Sequence, residues 1–185
     1  MIDGANVFKK NLENWNPRVP LRYADADYYR DVPIEVRNKF AIIKDTKRGL
    51  YLHGGVGVGK THIAYAMHKS KLARSSNFFN TTELLQRIRL DYNRKDESQG
   101  IAKEIAERRS IIFLDDIGAE KVTDWVLETF YLIINERYNE MLPTIFTSNC
   151  TIKELAEKLS DRIASRIVES CDIIELTGAD RRLKK

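Results

Sequence analysis

The sequence contains little cysteine and no long apolar run, and each absence excludes a class of protein. Its two cysteines, Cys150 and Cys171, form neither a CxxC pair nor a cluster with histidine. We therefore expect two reduced thiols rather than a zinc site or a disulfide framework. No apolar run approaches the roughly 20 residues that span a bilayer, and the polar residues 1–6 lack the apolar core of a signal peptide. These features predict a cytoplasmic protein that contacts no membrane.

Length and charge are those of one globular domain and leave the choice of partner open. The 185 residues are 43% hydrophobic and 31% charged, which is sufficient for a sizeable core. The formal net charge of +4 permits an anionic partner but does not require one. Residues 1–30 contain Pro17 and Pro20 and little periodicity, so we predict an irregular arm there and a single domain over residues 31–185.

The clearest motif is a glycine-rich segment at residues 54–61, which reads GGVGVGKT. It fits the pattern G-x-x-x-x-G-K-[ST] of the phosphate-binding P-loop. The apolar residues 49–53 precede it and predict a buried strand, and residues 62–68 predict the first turns of a helix. Because a P-loop connects a strand to a helix, this context supports the motif.

The residue types of the P-loop define a site for phosphate and magnesium. Glycines without a Cβ let successive backbone N–H groups face a phosphate, and the helix that begins near Gly59 adds its free N–H groups. Lys60 can reach the terminal phosphates of ATP, and the Thr61 hydroxyl can hold Mg²⁺. The predicted nucleotide-binding residues of this segment are Gly55, Val56, Gly57, Val58, Gly59, Lys60, Thr61 and His62.

Strand and helix patterns alternate along the rest of the chain. The predicted strands are residues 49–53, 77–80, 110–116, 144–149 and 173–176. This alternation indicates an α/β fold with a central, mainly parallel five-stranded sheet flanked by helices. Ligands of such sheets bind beyond the carboxyl ends of the strands, which is where the P-loop begins.

Polar side chains end two more of the predicted strands. An apolar run ends in Asp115 and Asp116, as in a Walker B strand. We expect Asp115 to bind Mg²⁺, directly or through water, and Asp116 to orient or deprotonate the attacking water. Neighbouring strand residues face opposite sides of a sheet, which would separate the two roles. Asn149 could hydrogen-bond the γ-phosphate or the water. The simpler alternative for Asp115 and Asp116 is a turn before Gly118, and the simpler alternative for Asn149 is a residue that only ends its strand.

Four segments together resemble the AAA+ ATPases of the DnaC/DnaI helicase-loader group, of which the transposition helper IstB is a close relative. They are GVGKTH at 57–62, LDDIGAE at 114–120, INERY at 134–138 and TSN at 147–149. The P-loop is generic, whereas the second and third segments are much more specific. The resemblance extends from about residue 20 to the C-terminus and implies a P-loop NTPase of the AAA+ type without a separate lid domain.

The resemblance also implies roles for residues outside the P-loop. It makes Asn149 the sensor 1 residue and places an arginine finger within residues 160–166, with Arg166 the first choice and Arg162 the second. It assigns Arg182 to a sensor 2 segment at the nucleotide. A finger from a neighbouring subunit would offer its planar guanidinium to the γ-phosphate. Such head-to-tail junctions generate rings or spirals.

Single-stranded DNA and a replicative helicase are the partners that the resemblance implies. The residues expected to contact single-stranded DNA are Arg87, Arg89, Tyr92, Arg94 and Lys95. Nearby acids equally fit an ordinary charged surface, namely Asp91, Asp96 and Glu97. Loaders carry a further N-terminal domain that docks on the helicase, whereas residues 1–53 precede the P-loop here. Many AAA+ proteins have Glu where Asp116 stands, so its shorter side chain predicts a slow, switch-like ATPase.

Two other functions remain open at this point. One is an IstB-like helper that acts on duplex DNA and a transposase. The other is a nucleotide-dependent protein-interaction module without a role on nucleic acid. A metabolic P-loop kinase is disfavoured, because the sequence has no lid-like arginine cluster and a kinase would leave Asn149 and residues 160–166 unexplained.

Overall fold

The structure is a computed structural model that describes residues 19–92 and 100–180. Its centre is one sheet of five strands in the order β2-β3-β4-β1-β5. The strands are β1 Gly49–His53, β2 Asn77–Asn80, β3 Ile112–Asp115, β4 Thr144–Ser148 and β5 Cys171–Glu175. All four pairings are parallel, which confirms the predicted α/β class and its five-stranded sheet.

Helices cover both faces of this sheet. They are α1 Tyr28–Asp31, α2 Ile34–Ala41, α3 Ile43–Thr46, α4 Lys60–His68, α5 Thr81–Tyr92, α6 Ile101–Glu107, α7 Asp124–Asn139, α8 Ile152–Lys158 and α9 Asp161–Ser170. Two short 3-10 turns lie at Leu21–Tyr23 and Lys71–Ala73. Within the described residues, no helix has both the length and the apolar character that a bilayer crossing requires.

Alternation along the strands divides the core into two layers. Phe78 and Phe79 are neighbours on β2, yet Phe78 packs in the layer beneath α2 and α4, whereas Phe79 packs in the layer beneath α5 to α9. Phe113 on β3 belongs to the first layer and stacks on Phe78 with ring centroids 5.6 Å apart. Both β3 and β4 are buried on both faces, and β3 is accordingly apolar up to its final Asp115, whereas β4 carries buried hydroxyl side chains at its two ends.

The helix starts follow local capping rules, with one correction. The spacing of Thr151 and Glu154 predicts a capping box, and the structure has one at the start of α8. The sequence predicts Thr81 or Thr82 as the cap of the next helix after β2, but that is wrong. The cap is Asn80, whose Oδ1 accepts a hydrogen bond from the Glu83 N–H at 3.2 Å. Asn at this position satisfies a free N–H of the first turn, which leaves the threonine hydroxyl available for another contact.

The segment before α2 is more ordered than an irregular arm. Within it, Ala26 and Tyr28 are buried in the first core layer, and the Tyr23 ring stacks on Tyr65 at 4.6 Å. Asp27 caps α1 by accepting two backbone hydrogen bonds of 2.9 Å. The predicted boundary at residue 30 therefore falls inside a helix, and residues 1–18 of the predicted arm lie outside the described part of the chain.

A buried arginine forms hydrogen bonds with the segments at the amino ends of β3 and β4. Arg137 lies on α7 with 2% of its surface exposed. Its guanidinium donates five hydrogen bonds of 2.6 to 3.2 Å, to the carbonyl oxygens of Ile105, Arg108, Ser110 and Pro143 and to the hydroxyl of Thr144. Burial lowers the pKa of this guanidinium to about 9, so the cation is retained at neutral pH. The planar fork thus joins the segments that lead into β3 and β4.

Candidate nucleotide-binding site

The carboxyl edge of the sheet brings together residues that are far apart in sequence. Strands β3, β4 and β1 are consecutive in the sheet, and each ends at the same cleft of about 470 Å³. The residues that line it are Arg22, Tyr23, Val56, Gly57, Gly59, Lys60, Thr61, His62, Asp116 and Asn149. Three segments therefore face one another across this cleft: the P-loop, the end of β3 and the end of β4.

The P-loop requires its glycines at specific positions. Gly57 and Gly59 have φ values of 82° and 100°, in the left-handed region where a side chain is strained. A Cβ at Gly57 would also collide with the carboxylate of Asp180. The Lys60 ammonium folds back over the loop and donates hydrogen bonds of 2.8 Å to the carbonyl oxygens of Gly54 and Gly55. These contacts hold the ammonium against the backbone of the loop.

A buried carboxylate lies beside the P-loop threonine. Asp115 is 5% exposed and accepts hydrogen bonds from two hydroxyls. Thr61 Oγ1 is 3.2 Å from Oδ2, and Thr147 Oγ1 is 2.6 Å from Oδ1. Burial raises the pKa of Asp115 to about 6, since hydroxyls stabilise the charge less than a cation would. A carboxylate and a hydroxyl next to a phosphate site are oxygen ligands that fit Mg²⁺.

The second carboxylate reaches the cleft through a turn. Asp116 follows β3 with φ at 63°, a left-handed conformation that Asp tolerates better than most residues. Its N–H donates to Thr147 Oγ1 at 2.9 Å, and its Oδ1 accepts from Asn149 Nδ2 at 3.2 Å. The expected strand alternation between Asp115 and Asp116 is therefore wrong. The left-handed turn separates a buried carboxylate from one that faces the cleft.

Several supporting residues were not predicted from the sequence. The Thr81 hydroxyl donates hydrogen bonds of 3.1 Å to the carbonyl oxygens of Asp115 and Asp116. Glu120 accepts the Gly118 N–H at 3.1 Å, and burial raises the pKa of its carboxyl. These contacts hold the turn after β3. The Thr81 contacts join separate chain segments, so no local sequence pattern predicts them.

The N-terminal segment forms another wall of the cleft that sequence reasoning missed. Arg22 and Tyr23 line the cleft, although they lie in the predicted arm. His62, a predicted nucleotide contact, has its Nε2 2.9 Å from Asp31 Oδ2. The Arg30 guanidinium beside Asp31 holds the pKa of that carboxyl well below its usual range, with a further contribution from His62. This wall is therefore polar, and it is held by the Arg30–Asp31 ion pair and the hydrogen bond between Asp31 and His62.

The predicted arginines lie away from the cleft of their own chain. Arg166 on α9 donates to Asn135 Oδ1 at 3.2 Å and lies 4.5 Å over the Tyr138 ring. Arg162 is exposed in the first turn of the same helix. Neither lines the 470 Å³ cleft. Arg182 lies outside the described residues.

The predicted DNA-contacting residues are only partly described. Arg87 and Arg89 are exposed on α5, and the Arg89 guanidinium lies 4.6 Å from the Trp125 ring centroid. The backbone of Tyr92 ends that helix. Arg94 and Lys95 lie outside the described residues.

The burial of the Asp115 carboxyl should make the stability of the folded protein depend on pH. The raised pKa of Asp115 means that the folded state holds a proton that the unfolded state releases, so stability falls as pH rises from about 4 to about 6. Asp115→Asn removes this titration. We expect the nucleotide-free variant to be more stable than the wild type by on the order of 2 kcal/mol at pH 7.5, in urea unfolding.

That gain should shrink as the pH is lowered towards 4, where the wild-type carboxyl is protonated in the folded state and about half protonated in the unfolded state. Asp45→Asn makes the same change in charge at an exposed site and serves as the control. A constant difference across this pH range, or a loss of stability at pH 7.5, would contradict the assigned cause.

Comparison with known proteins identifies the family. A family model described as IstB-like ATP binding protein matches residues 28–185. The replicative helicase loader DnaI of Bacillus subtilis is 30% identical over 150 residues, which are 73% of this chain and 48% of DnaI. The phage-like element PBSX protein XkdC of the same organism is 29% identical over 149 residues, which are 74% of this chain and 54% of XkdC. The chain thus spans about half the length of these curated relatives.

Solved structures agree with this assignment. A DnaC helicase loader has a TM-score of 0.70 and 26% identity, with coverage of 85% of this chain and 99% of that chain. A DnaI structure has a TM-score of 0.67 and 28% identity, with coverage of 88% and 94%. The chain therefore belongs to the IstB-like ATP-binding family and has the P-loop AAA+ fold of the helicase loaders.

Proposed function

We propose that this protein binds ATP with Mg²⁺, hydrolyses it slowly, and uses the nucleotide to control an assembly on single-stranded DNA. The observation that supports it best is the joint position of Lys60, Asp116 and Asn149 around one cleft, with Thr61 beside the buried Asp115. Three separate strands deliver these groups to the same edge, as ATP hydrolysis requires.

Binding of ATP would replace contacts that the P-loop makes with itself. The Lys60 ammonium would exchange the carbonyl oxygens of Gly54 and Gly55 for phosphate oxygens. The N–H groups at the start of α4 would donate to the phosphates. Thr61 and Asp115 would hold Mg²⁺, which when bound offsets the charge of the phosphates and so relieves the buried carboxylate.

Hydrolysis would use the paired polar groups at the mouth of the cleft. Asp116 would accept a proton from water as the water oxygen attacks the γ-phosphorus. The bond from the γ-phosphorus to the bridging oxygen breaks, and ADP leaves with that oxygen. Asn149 would hold the water or the γ-phosphate through the amide that now donates to Asp116. The short Asp116 side chain supports a slow rate.

Substitution of the proposed base separates binding from turnover. Asp116→Asn should lower kcat by about 100-fold or more while nucleotide affinity changes little, because a missing base affects only the transition state. Lys60→Ala is the matched comparison and should weaken nucleotide binding itself. Single-turnover hydrolysis and equilibrium titration with a fluorescent nucleotide measure the two quantities. Normal turnover by Asp116→Asn would remove it as the base.

We also propose that α9 supplies an arginine to the nucleotide of a neighbouring subunit. Both candidates lie outside the cleft of their own chain, which supports action in trans. Arg162 is exposed, whereas Arg166 is engaged with Asn135 and Tyr138. A head-to-tail contact through α9 would generate a ring or spiral.

Mixing two inactive variants tests this arrangement. Arg162→Ala and Arg166→Ala are each mixed with Lys60→Ala, so that a junction can combine an intact P-loop with an intact finger. The variant that lacks the arginine finger should lose ATP hydrolysis but keep its affinity for ATP. Mixed with Lys60→Ala, it should regain up to about a quarter of the wild-type rate of hydrolysis if subunits assort at random. The other arginine serves as the control. If neither mixture regains activity, action in trans is unsupported.

The proposed DNA contact is α5, and the proposed protein partner is a replicative helicase. The relatives named above as helicase loaders support a helicase partner. The exposed Arg87 and Arg89 support the DNA contact, since they can follow a phosphate backbone, with Trp125 beside Arg89. Docking on a helicase rests on the likeness to DnaI and DnaC, and the chain spans about half the length of the curated DnaI.

Removal of two cations tests the DNA contact. In the variant that combines Arg87→Ala with Arg89→Ala, the plot of log binding constant against log salt concentration for single-stranded DNA should become shallower. Its slope should fall in magnitude by about 1.4, which is about 0.7 per lost phosphate contact. Fluorescence anisotropy in the presence of ATP measures it. Lys121→Ala combined with Lys153→Ala removes the same charge elsewhere and should leave the slope unchanged. A strong preference for duplex would favour the IstB-like alternative.

A further inference from the structure

A group of cations lies at the amino edge of the sheet, where the proposed function uses no residue. Two adjoining clefts of about 260 and 250 Å³ share Ala73 and Ser76. The exposed cations that line them are Lys44, Lys47, Lys71, Arg74 and Arg109, here called the amino-edge patch. No acidic side chain lines either cleft among the residues that the structure describes.

The patch is an uncompensated concentration of positive charge. Lys69 also lines the first cleft, but its ammonium donates to the carbonyl oxygens of Ala24 and Ala26. By contrast, the five patch side chains form no ion pair or hydrogen bond with any part of the chain that the structure describes. They come from the segments before β1, β2 and β3 rather than from one charged run. Five unpaired like charges create a local field that favours an extended anion.

The patch is separate from the nucleotide. Ser76, Ile111 and Pro143 line the second cleft and immediately precede β2, β3 and β4, whereas the P-loop and Asp116 follow the other ends of the sheet. Strands of four or five residues place roughly 13 to 17 Å between the two edges. The phosphates of a nucleotide held by the P-loop therefore cannot neutralise the patch.

We propose that the amino-edge patch binds the phosphate backbone of duplex nucleic acid, independently of sequence. The cations are spread over three segments, which suits spaced phosphates better than a single anion. Within residues 19–92 and 100–180, the one aromatic ring that lines either cleft is that of His68, which is 8% exposed and hydrogen-bonded to Ser76, so the patch offers no exposed platform for stacking unpaired bases. This site is distinct from α5, which the proposed function assigns to single-stranded DNA.

Charge removal at the patch tests the proposal. The background is the Arg87→Ala, Arg89→Ala variant, so that the remaining binding reports on the patch. In this background, Lys71→Ala with Arg74→Ala should weaken binding of a fluorescent duplex of about 30 base pairs roughly tenfold and lower the log–log salt slope by about 2, for two lost phosphate contacts. Lys121→Ala with Lys153→Ala is the control and should leave both quantities unchanged, as should ATP turnover without DNA.

Cross-linking tests where on the protein the duplex binds. Because Cys150 and Cys171 are buried, a new surface cysteine can be labelled alone. Ser75→Cys carrying a photo-crosslinker should attach to the duplex, and Glu157→Cys on α8 should not. Wild-type duplex affinity in the patch variant, or cross-linking from Glu157→Cys only, would overturn the proposal. So would an unchanged duplex affinity with lost binding to vesicles containing phosphatidylserine, since that would assign the patch to a lipid surface.

Discussion

One buried carboxylate connects the parts of this molecule on which its chemistry depends. Asp115 at the end of β3 receives hydrogen bonds from Thr61 at the start of α4 and from Thr147 on β4. Three chain segments therefore meet at a charge that the fold has removed from water. Burial raises the pKa of this group to about 6, so its ionised form is held at a cost in stability that a bound cation would offset.

The same carboxylate explains the position of its neighbour. Since Asp115 is fixed inward, the chain reaches the cleft only by turning, and the left-handed conformation of Asp116 makes that turn. Thr81 binds the two carbonyl oxygens of this turn, and Asn149 binds the Asp116 carboxylate from β4. The proposed base is thereby held by neighbours that directly follow two other strands, Thr81 after β2 and Asn149 after β4.

The sequence predicted those features that local pattern determines. The P-loop, the alternation of strands and helices and the strand ends at Asp115 and Asn149 all follow from short segments with known spacing. The contacts of Thr81 and Thr147, and the packing of Tyr23 on Tyr65, join residues more than thirty positions apart and leave no local signal. The choice between Arg162 and Arg166 depends on a neighbouring subunit, so one chain's sequence cannot decide it.

The two edges of the sheet thus have different characters. The carboxyl edge collects oxygen ligands and one lysine, whereas the amino edge is joined by the buried Arg137 and surrounded by unpaired cations. The proposed division of labour assigns the nucleotide to the first edge and duplex to the second. Both assignments depend on the parallel order of the strands, which aligns all carboxyl ends on one side.

A crystal structure with Mg²⁺ and a non-hydrolysable ATP analogue would show whether the nucleotide binds at the carboxyl edge of the sheet. In that structure, we expect the Lys60 ammonium to leave the carbonyl oxygens of Gly54 and Gly55 for the terminal phosphates. We also expect a metal about 2.1 Å from Thr61 Oγ1, with Asp115 as a direct or water-mediated ligand. A nucleotide bound elsewhere, with Lys60 still on those carbonyl oxygens and no metal beside Asp115, would contradict the account.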